Sequence, residues 1–314
     1  MTNLYNTLSR KILKENNENR KKKYMIISFY KYFSIVNTTK FRNFIYKFFN
    51  NLNILGRIYI SSEGINAQIS VPEKNYKKMK YFLIKFNNNF KDIHFNHCIE
   101  NKDNAFWLLS VKVRKKIVAD NLYIPNLDYK KKGIYIDPIH VNKIIHEKNV
   151  IFIDIRNRYE YEVGHFIRSI NFSYNTFREQ LQELINYIQK LKKNKKIVMY
   201  CTGGIRCEKA TSLLIHFGFK KIYQIQGGIL NYVNKIRKKN LKSYFKGINF
   251  VFDARISEKI THDILGKCYN CGIACNKHLN CKNSKCNLLF IQCISCNTNF
   301  NKYCSKKCMI ENIL

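Results

Sequence analysis

The sequence predicts an α/β chain of three successive units: an antiparallel sheet backed by helices, a parallel sheet covered on both faces, and a metal-binding cysteine-rich end. Three observations carry this. Strand and helix patterns run in the order βαββαβ between residues 24 and 118. From about residue 147 to 241, strands alternate with helices, the order that builds a parallel sheet. Beyond that, nine of the twelve cysteines fall between positions 268 and 308.

Residues 1–23 are polar and basic, ending in Arg20-Lys21-Lys22-Lys23, and are expected to be a solvated tail. Met25–Phe33 has the composition of a strand. Thr38–Leu52 follows as a helix, with Phe41, Phe44, Ile45, Phe48 and Phe49 near one face. Gly56–Ile60 and Ile65–Val71 form two strands joined by Ser61-Ser62-Glu63-Gly64. Glu73–Phe86 is the second helix, and further strands are expected at Ile93–Cys98 and Trp107–Val118. The order βαββαβ over 24–118 predicts a ferredoxin-like (acylphosphatase-like) module with helices on one sheet face. In Leu109–Lys116 basic and apolar side chains partly alternate, so one strand face is expected to be cationic or simply solvated.

Residues 119–146 hold two of the three prolines and no long periodic run, so they are expected to be a linker. The second unit spans 147–241. Val150–Ile155 reads as a buried strand, Thr176–Lys192 as a helix and Lys196–Tyr200 as the central strand. Cys201-Thr-Gly-Gly-Ile-Arg206-Cys207 follows at the mouth of a helix carrying Ala210, Leu213, Leu214 and Phe217. A turn of this kind aims backbone N–H groups inward, and a helix N-terminus adds partial positive charge. Both favour the thiolate, the nucleophilic form of cysteine. In open α/β sheets the site lies at the carboxyl ends of the strands, where Cys201 falls. Ile222–Ile225 and Gln226-Gly227-Gly228 close the unit.

Asp154-Ile-Arg156, Glu160-Tyr161 and Gly164-His165 resemble the opening motif of rhodanese domains. Cys201 to Arg206 resembles their six-residue active-site loop, and Gly218-Phe219 with Gln226-Gly227-Gly228 their closing motif. The resemblance implies a rhodanese-like parallel-sheet domain in which Cys201 carries a persulfide and Arg206 helps hold the loop. Cys201–Ala210 in full, Gly64-Ile-Asn-Ala67 with Gln68-Ile69-Ser70, Phe250-Val-Phe-Asp253 and Leu288–Cys293 narrow it further. Together they resemble the rhodanese-like tRNA uridine hydroxylases, which use molecular oxygen to make 5-hydroxyuridine at the wobble position. That resemblance implies an oxidoreductase with O2 as co-substrate and the tRNA anticodon loop as partner. Cys201 would be the active-site thiol and Cys207 a second thiol able to resolve an adduct, or else a packed helix residue. The alternative is a sulfurtransferase passing sulfur through a Cys201 persulfide; the motifs of the central unit suit both.

The remaining region, 242–314, is cysteine-rich. Cys268-x-x-Cys271 and Cys293-x-x-Cys296 have zinc-knuckle spacing, and Cys275, Cys281, Cys286, Cys304 and Cys308 are further candidates. A segment of roughly 45 residues is too small to build its own core without a staple. Zinc is the expected metal, with an iron–sulfur cluster as the alternative, since thiolates suit both. His278 is expected to be a solvated loop residue rather than a ligand.

Composition sets the partner class. Lys+Arg 56 against Asp+Glu 21 gives a net charge of +35, which favours a polyanion such as nucleic acid. Codon drift in an AT-rich genome accounts for part of the lysine excess, in line with the abundant Asn, Ile, Tyr and Phe. No apolar run approaches the ~18 residues of a membrane span. The N-terminus lacks a secretory signal's apolar core. The cysteines are therefore expected to sit in a reducing cytoplasm. The residues that bind substrate are not legible at this stage.

Overall fold

A computed structural model of the chain describes residues 23–311, except 101–104, 122, 123 and 126, together with Leu4, Ser9, Ile12, Leu13 and Glu15. The basic tail expected over 1–23 lies almost wholly outside the described residues.

The N-terminal unit contains β1 (Tyr24–Tyr32), α1 (Thr38–Asn51), β2 (Leu55–Ser61), β3 (Gly64–Pro72), α2 (Tyr76–Phe86), β4 (Asn96–His97) and β5 (Leu109–Val113). Its sheet runs β4-β1-β3-β2-β5, antiparallel except where β5 joins β2. Period-two alternation buries Ile27, Phe29, Ile58, Ile60, Ala67 and Ile69 on one face. Onto that face α1 packs Ile45 and Phe49, and α2 packs Met79 and Leu83. The Asn37 side chain caps α1 by accepting the Lys40 amide at 2.8 Å. Three expected elements come out shorter. Of the strand expected over Ile93–Cys98, only Asn96–His97 pairs. Residues 73–75 form a 3-10 turn before α2 begins. The strand expected over 107–118 is five residues long, because its partner β2 runs out where Ile60 meets Val113.

The central unit contains β6 (Ile134–Ile136), α3 (Pro138–Ile144), β7 (Val150–Asp154), α4 (Arg158–Val163), β8 (Gly164–Phe166), β9 (Ser169–Ile170), α5 (Phe177–Gln189), β10 (Lys196–Tyr200), α6 (Ile205–His216), β11 (Ile222–Ile225) and α7 (Gly228–Lys238). Its sheet is parallel, in the order β6-β11-β10-β7-β9. Separate apolar cores cover the two faces, one with α3 and α7, the other with α5 and α6. This corrects the expected linker: β6 and α3 both lie inside 119–146. β6 pairs with β11, and the Asp137 carboxylate caps α3 by accepting the Ile139 amide at 2.8 Å. β6 is only three residues long, with Ile134 and Tyr135 exposed, so it leaves no periodic signal.

The C-terminal region docks onto this sheet unit rather than standing apart. β12 (Phe245–Phe250) pairs antiparallel with β8 on one side and with β13 (Ser257–Lys259) on the other. The cysteine-rich end follows as the hairpin β14 (His278–Asn280) and β15 (Leu289–Ile291), with short helices α8 (Ile294–Phe300) and α9 (Lys306–Glu311). Among the described residues no helix is long and apolar enough to cross a membrane.

Candidate active site

The buried strand β10 ends at Tyr200 and the chain turns sharply into α6. Gly204 makes that turn at φ 104°, and a Cβ there would stand 2.8 Å from the Tyr30 hydroxyl. The turn aims the Gly204 amide at Cys201 Sγ, 3.1 Å away. Burial opposes ionisation of Cys201. The Cys207 thiol, the Arg206 guanidinium and the Arg206 and Gly204 amides outweigh it and bring the thiol down to about 6. Cys207 shows the converse: burial, and its role as donor to the Cys201 sulfur, push it well above the ordinary thiol range. The pair is therefore a thiolate beside a thiol at neutral pH.

Arg206 is held from the opposite side. Its guanidinium donates to Glu160 at 2.6 and 2.9 Å and to the Thr202 hydroxyl at 3.2 Å. Burial alone would raise the Glu160 carboxyl, but Arg206 and then Arg156 keep it below its usual range. Arg156 pairs with Asp154 at 2.6 Å and donates to the Gly164 carbonyl at 2.6 Å, so the opening motif forms a buried brace under the loop. From the other end, Ile229 and Leu230 at the start of α7 donate amides to the Cys201 and Thr202 carbonyls at 3.0 and 3.1 Å. That approach requires glycine at 228, where a Cβ would lie 2.3 Å from the Cys201 carbonyl oxygen.

Cys201, Thr202 and Arg206 line a cavity of about 590 Å3. The wall facing them comes from the N-terminal sheet, with Ser28, Tyr30, Tyr59, Asn66, Gln68 and Arg114. The C-terminal region closes one side with Val251, Phe252 and Asp253. Asp253 is paired to Arg255 at 2.6 Å, and Arg255 in turn to Glu258 at 2.7 Å. The stretches 64–70 and 250–253, far apart in sequence from the loop, thus converge on Cys201.

Two residues of α6 had no assigned role in the sequence. Glu208 accepts from Tyr30 Oη at 2.9 Å, from the Tyr135 hydroxyl, and from Lys132 at 2.7 Å. Lys209, almost fully buried, reaches Asp120 at 2.6 Å and Glu63 at 3.0 Å. Both tie the helix behind Cys201 to the N-terminal unit and the segment leaving it. Sequence signals existed, since both belong to the ten-residue Cys201–Ala210 segment, but the partners lie too far away in the chain to be read.

At the cysteine-rich end, Cys268, Cys271, Cys293 and Cys296 converge, as do Cys281, Cys286, Cys304 and Cys308. In each group the sulfurs lie within 4.8 Å of one another. The sulfur–sulfur separations include Cys271–Cys293 at 3.7 Å, Cys286–Cys304 at 3.8 Å and Cys304–Cys308 at 3.6 Å. Four thiolates 2.3 Å from one tetrahedral ion stand about 3.8 Å apart. The donor sets therefore fit one ion each. Cys275 belongs to neither group and packs beside Val163 and Phe250. His278 is not a solvated loop residue. It is buried in β14 with its ring edge-on to Phe250 at 5.1 Å, and burial lowers its pKa to about 4. None of the eight clustered cysteines lines the Cys201 cavity.

Three family models match the chain in succession: a UPF0176 acylphosphatase-like domain over residues 24–117, a rhodanese-like domain over 137–235, and a rhodanese C-terminal region over 246–309. Among similar curated proteins, the tRNA uridine(34) hydroxylase of Buchnera aphidicola from Schizaphis graminum is 48% identical over 98% of this chain and 99% of its own. The protein of that name from Enterobacter sp. strain 638 is 44% identical over 99% of this chain and 89% of its own. The one from Photorhabdus laumondii is 44% identical over 98% and 87%.

Proposed function

The chain belongs to the tRNA uridine(34) hydroxylase family, and from that premise we propose that it hydroxylates C5 of the wobble uridine of tRNA, with O2 as the oxygen source. The observation that carries the reading is the Cys201 thiolate, held beside the Cys207 thiol and lining a cavity large enough for a nucleobase, whose facing wall is polar and carries Arg114. An anticodon-loop base can leave its stack and enter such a cavity.

The Cys201 thiolate adds to C6 of the uracil, forming an S–C6 bond and pushing an electron pair toward C5. C5 then takes one oxygen atom, loses its proton, and expels the thiolate as the ring double bond returns. The second oxygen atom leaves as water, which requires two electrons and two protons. The Cys207 thiol takes that oxygen atom as a sulfenic acid while Cys201 is still bonded to C6. The Cys201 thiolate, once expelled, displaces it as water with one proton from solvent, closing the Cys201–Cys207 disulfide, and an external thiol reductant resets the pair. Arg206 keeps the loop in place and its charge favours the thiolate between turnovers. Neither Cys201 nor Cys207 is held in a disulfide, as this dithiol chemistry requires.

We assign zinc to both cysteine groups. Tetrahedral all-sulfur sites of this size suit a single Zn2+, whereas a cluster spreads its cysteines over several irons. Zinc there supplies folding free energy to a segment with a small apolar core of its own.

Mass spectrometry of tRNA nucleosides tests the reading. A deletion strain should lack 5-hydroxyuridine and its derivatives and regain them with the wild-type gene, but not with Cys201→Ser. Full restoration by Cys201→Ser overturns the thiol-centred chemistry. The rhodanese-like domain also supports a sulfurtransferase reading, which rapid thiosulfate-to-cyanide turnover with unchanged tRNA nucleosides would establish instead.

A further inference from the structure

The N-terminal sheet buries one face under α1 and α2. Its other face carries none of that unit's own helices. The start of α6 meets it at Tyr30 and Tyr32, and residues 105–106 cover Tyr24, Ile26 and Leu55. Between them strand alternation arranges the face in cross-strand rows. One row is Ser28, Gln68, Arg57 and Ser110; the next is Tyr30, Asn66, Tyr59 and Lys112. All eight are exposed or half-buried, although they belong to the same strands that bury Ile27, Phe29, Ile58 and Ala67 on the far side. The rows hold two cations and no acid. Just past β5, the Arg114 guanidinium lies 5.7 Å from the centroid of the Tyr59 ring. The two carboxylates lining the cavity, Asp253 and Glu258, are engaged by Arg255, and Glu63 at the β2–β3 turn is engaged by Lys209. This polar, cationic, aromatic surface is continuous with the Cys201 cavity, which Ser28, Tyr59, Gln68 and Arg114 line together with Cys201.

We propose that the open part of this sheet face is the platform for the single-stranded nucleotides flanking the reacting uridine, an assignment that rests on the tRNA reading above. Tyr59 stacks on a flanking base, while Arg57, Lys112 and Arg114 hold phosphates. Stacking tolerates any base and is strong enough to keep a loop splayed, while phosphate contacts fix register without reading sequence. Tyr30 serves differently: its hydroxyl is committed to Glu208 and its ring to the seam with α6. The platform leads the unstacked uracil across the cavity to Cys201, so the N-terminal unit holds the RNA and the central unit carries the reactive sulfur.

The test uses the full-length protein and an anticodon stem-loop RNA. Tyr59→Ala should raise the Kd and KM for the stem-loop by roughly tenfold or more, with kcat at saturating RNA within about twofold of wild type; Tyr59→Phe should restore both. Lys112→Gln and Arg114→Gln should weaken binding at every loop sequence and each lower the salt slope by about one. Lys306→Gln, on the distant helix α9, should change neither. Wild-type Kd and salt slope in Tyr59→Ala and Arg114→Gln would overturn the platform even if the wild-type enzyme makes 5-hydroxyuridine. RNA binding that these variants weaken, from a wild-type protein that makes no hydroxylated product, would support the platform and defeat the parent reading.

Discussion

The Lys209 ammonium stands 2.6 Å from the Asp120 carboxylate, and both side chains are buried. One belongs to the helix that follows Cys201, the other to the segment leaving the N-terminal unit. Glu63, from the β2–β3 turn, completes the pairing at 3.0 Å, and the Tyr129 ring lies 5.3 Å from the ammonium. A buried cation with two carboxylates adds little net stability over a well-packed apolar cluster, but removing one partner leaves uncompensated charge. Lys209→Met should therefore destabilise the protein by about 3–5 kcal/mol, read as a lower midpoint in urea. It should loosen the N-terminal unit from α6, read as faster amide exchange at that seam. An unchanged midpoint would show that the seam does not depend on this cation.

Glu160 gives a second, sharper case within the loop. Glu160→Gln keeps the shape but leaves the buried Arg206 without its carboxylate. A stability loss of roughly 3 kcal/mol is expected, and turnover should fall with it because Thr202 and the Cys201 turn lose their anchor. Retention of full activity would separate Arg206 from the chemistry.

The pH dependence follows from the sulfur pair. Cys201 is the nucleophile only as thiolate, and its folded pKa lies near 6 against an ordinary value of 9.0. Single-turnover hydroxylation should therefore rise from acid pH with a midpoint near 6 and level off above it. Because the folded pKa is depressed, ionisation of this group favours the folded state most above pH 9, and the contribution fades as pH falls toward 6. Cys207→Ala removes the thiol that donates to Cys201 and the electrons that cleave dioxygen, so it should abolish hydroxylation. The Cys201 titration midpoint, read in that variant by iodoacetamide alkylation across pH, should move upward. A midpoint unmoved by that substitution would mean the loop amides and Arg206 alone hold the thiolate.

Metal analysis of the purified protein should return two zinc ions per chain and no visible absorption. Cys296→Ser should lower the content by one ion and Cys304→Ser by the other, since these lie in different groups. Chelation should unfold the end of the chain, seen as rapid amide exchange over 268–308, and leave the Cys201 cavity formed. A brown protein containing iron would replace zinc by iron–sulfur chemistry.

Local physics was legible in the sequence wherever the cause was local. A strand, two glycines, an arginine and a helix start lie within a few residues of Cys201, and that proximity sets its environment. The cysteine spacings likewise announced both halves of the Cys268 group. What escaped depends on partners distant in the chain. Trp107–Val118 carries strand-forming residues throughout, but pairing stops at Val113 because β2 ends. Ile134–Ile136 is a strand only because β11 offers an edge. His278 has the sequence surroundings of a polar loop, yet it is buried beside Phe250 once β12 docks on β8. Lys209 lies in the Cys201–Ala210 segment, but nothing local distinguished it from a solvated lysine until Glu63 and Asp120 were placed around it.

The cavity draws its walls from Ser28 at one extreme and Asp253 at the other, with Cys201 between them. During synthesis the N-terminal sheet emerges first and waits, its polar face open, while the ribosome makes more than half of the remaining chain. The reactive sulfur is therefore out of the exit tunnel before the last wall exists. An enzyme assembled in this order cannot enclose its substrate until the 250–253 stretch has emerged. Its folding rate should be governed by the late arrival of strand β12 rather than by either sheet alone.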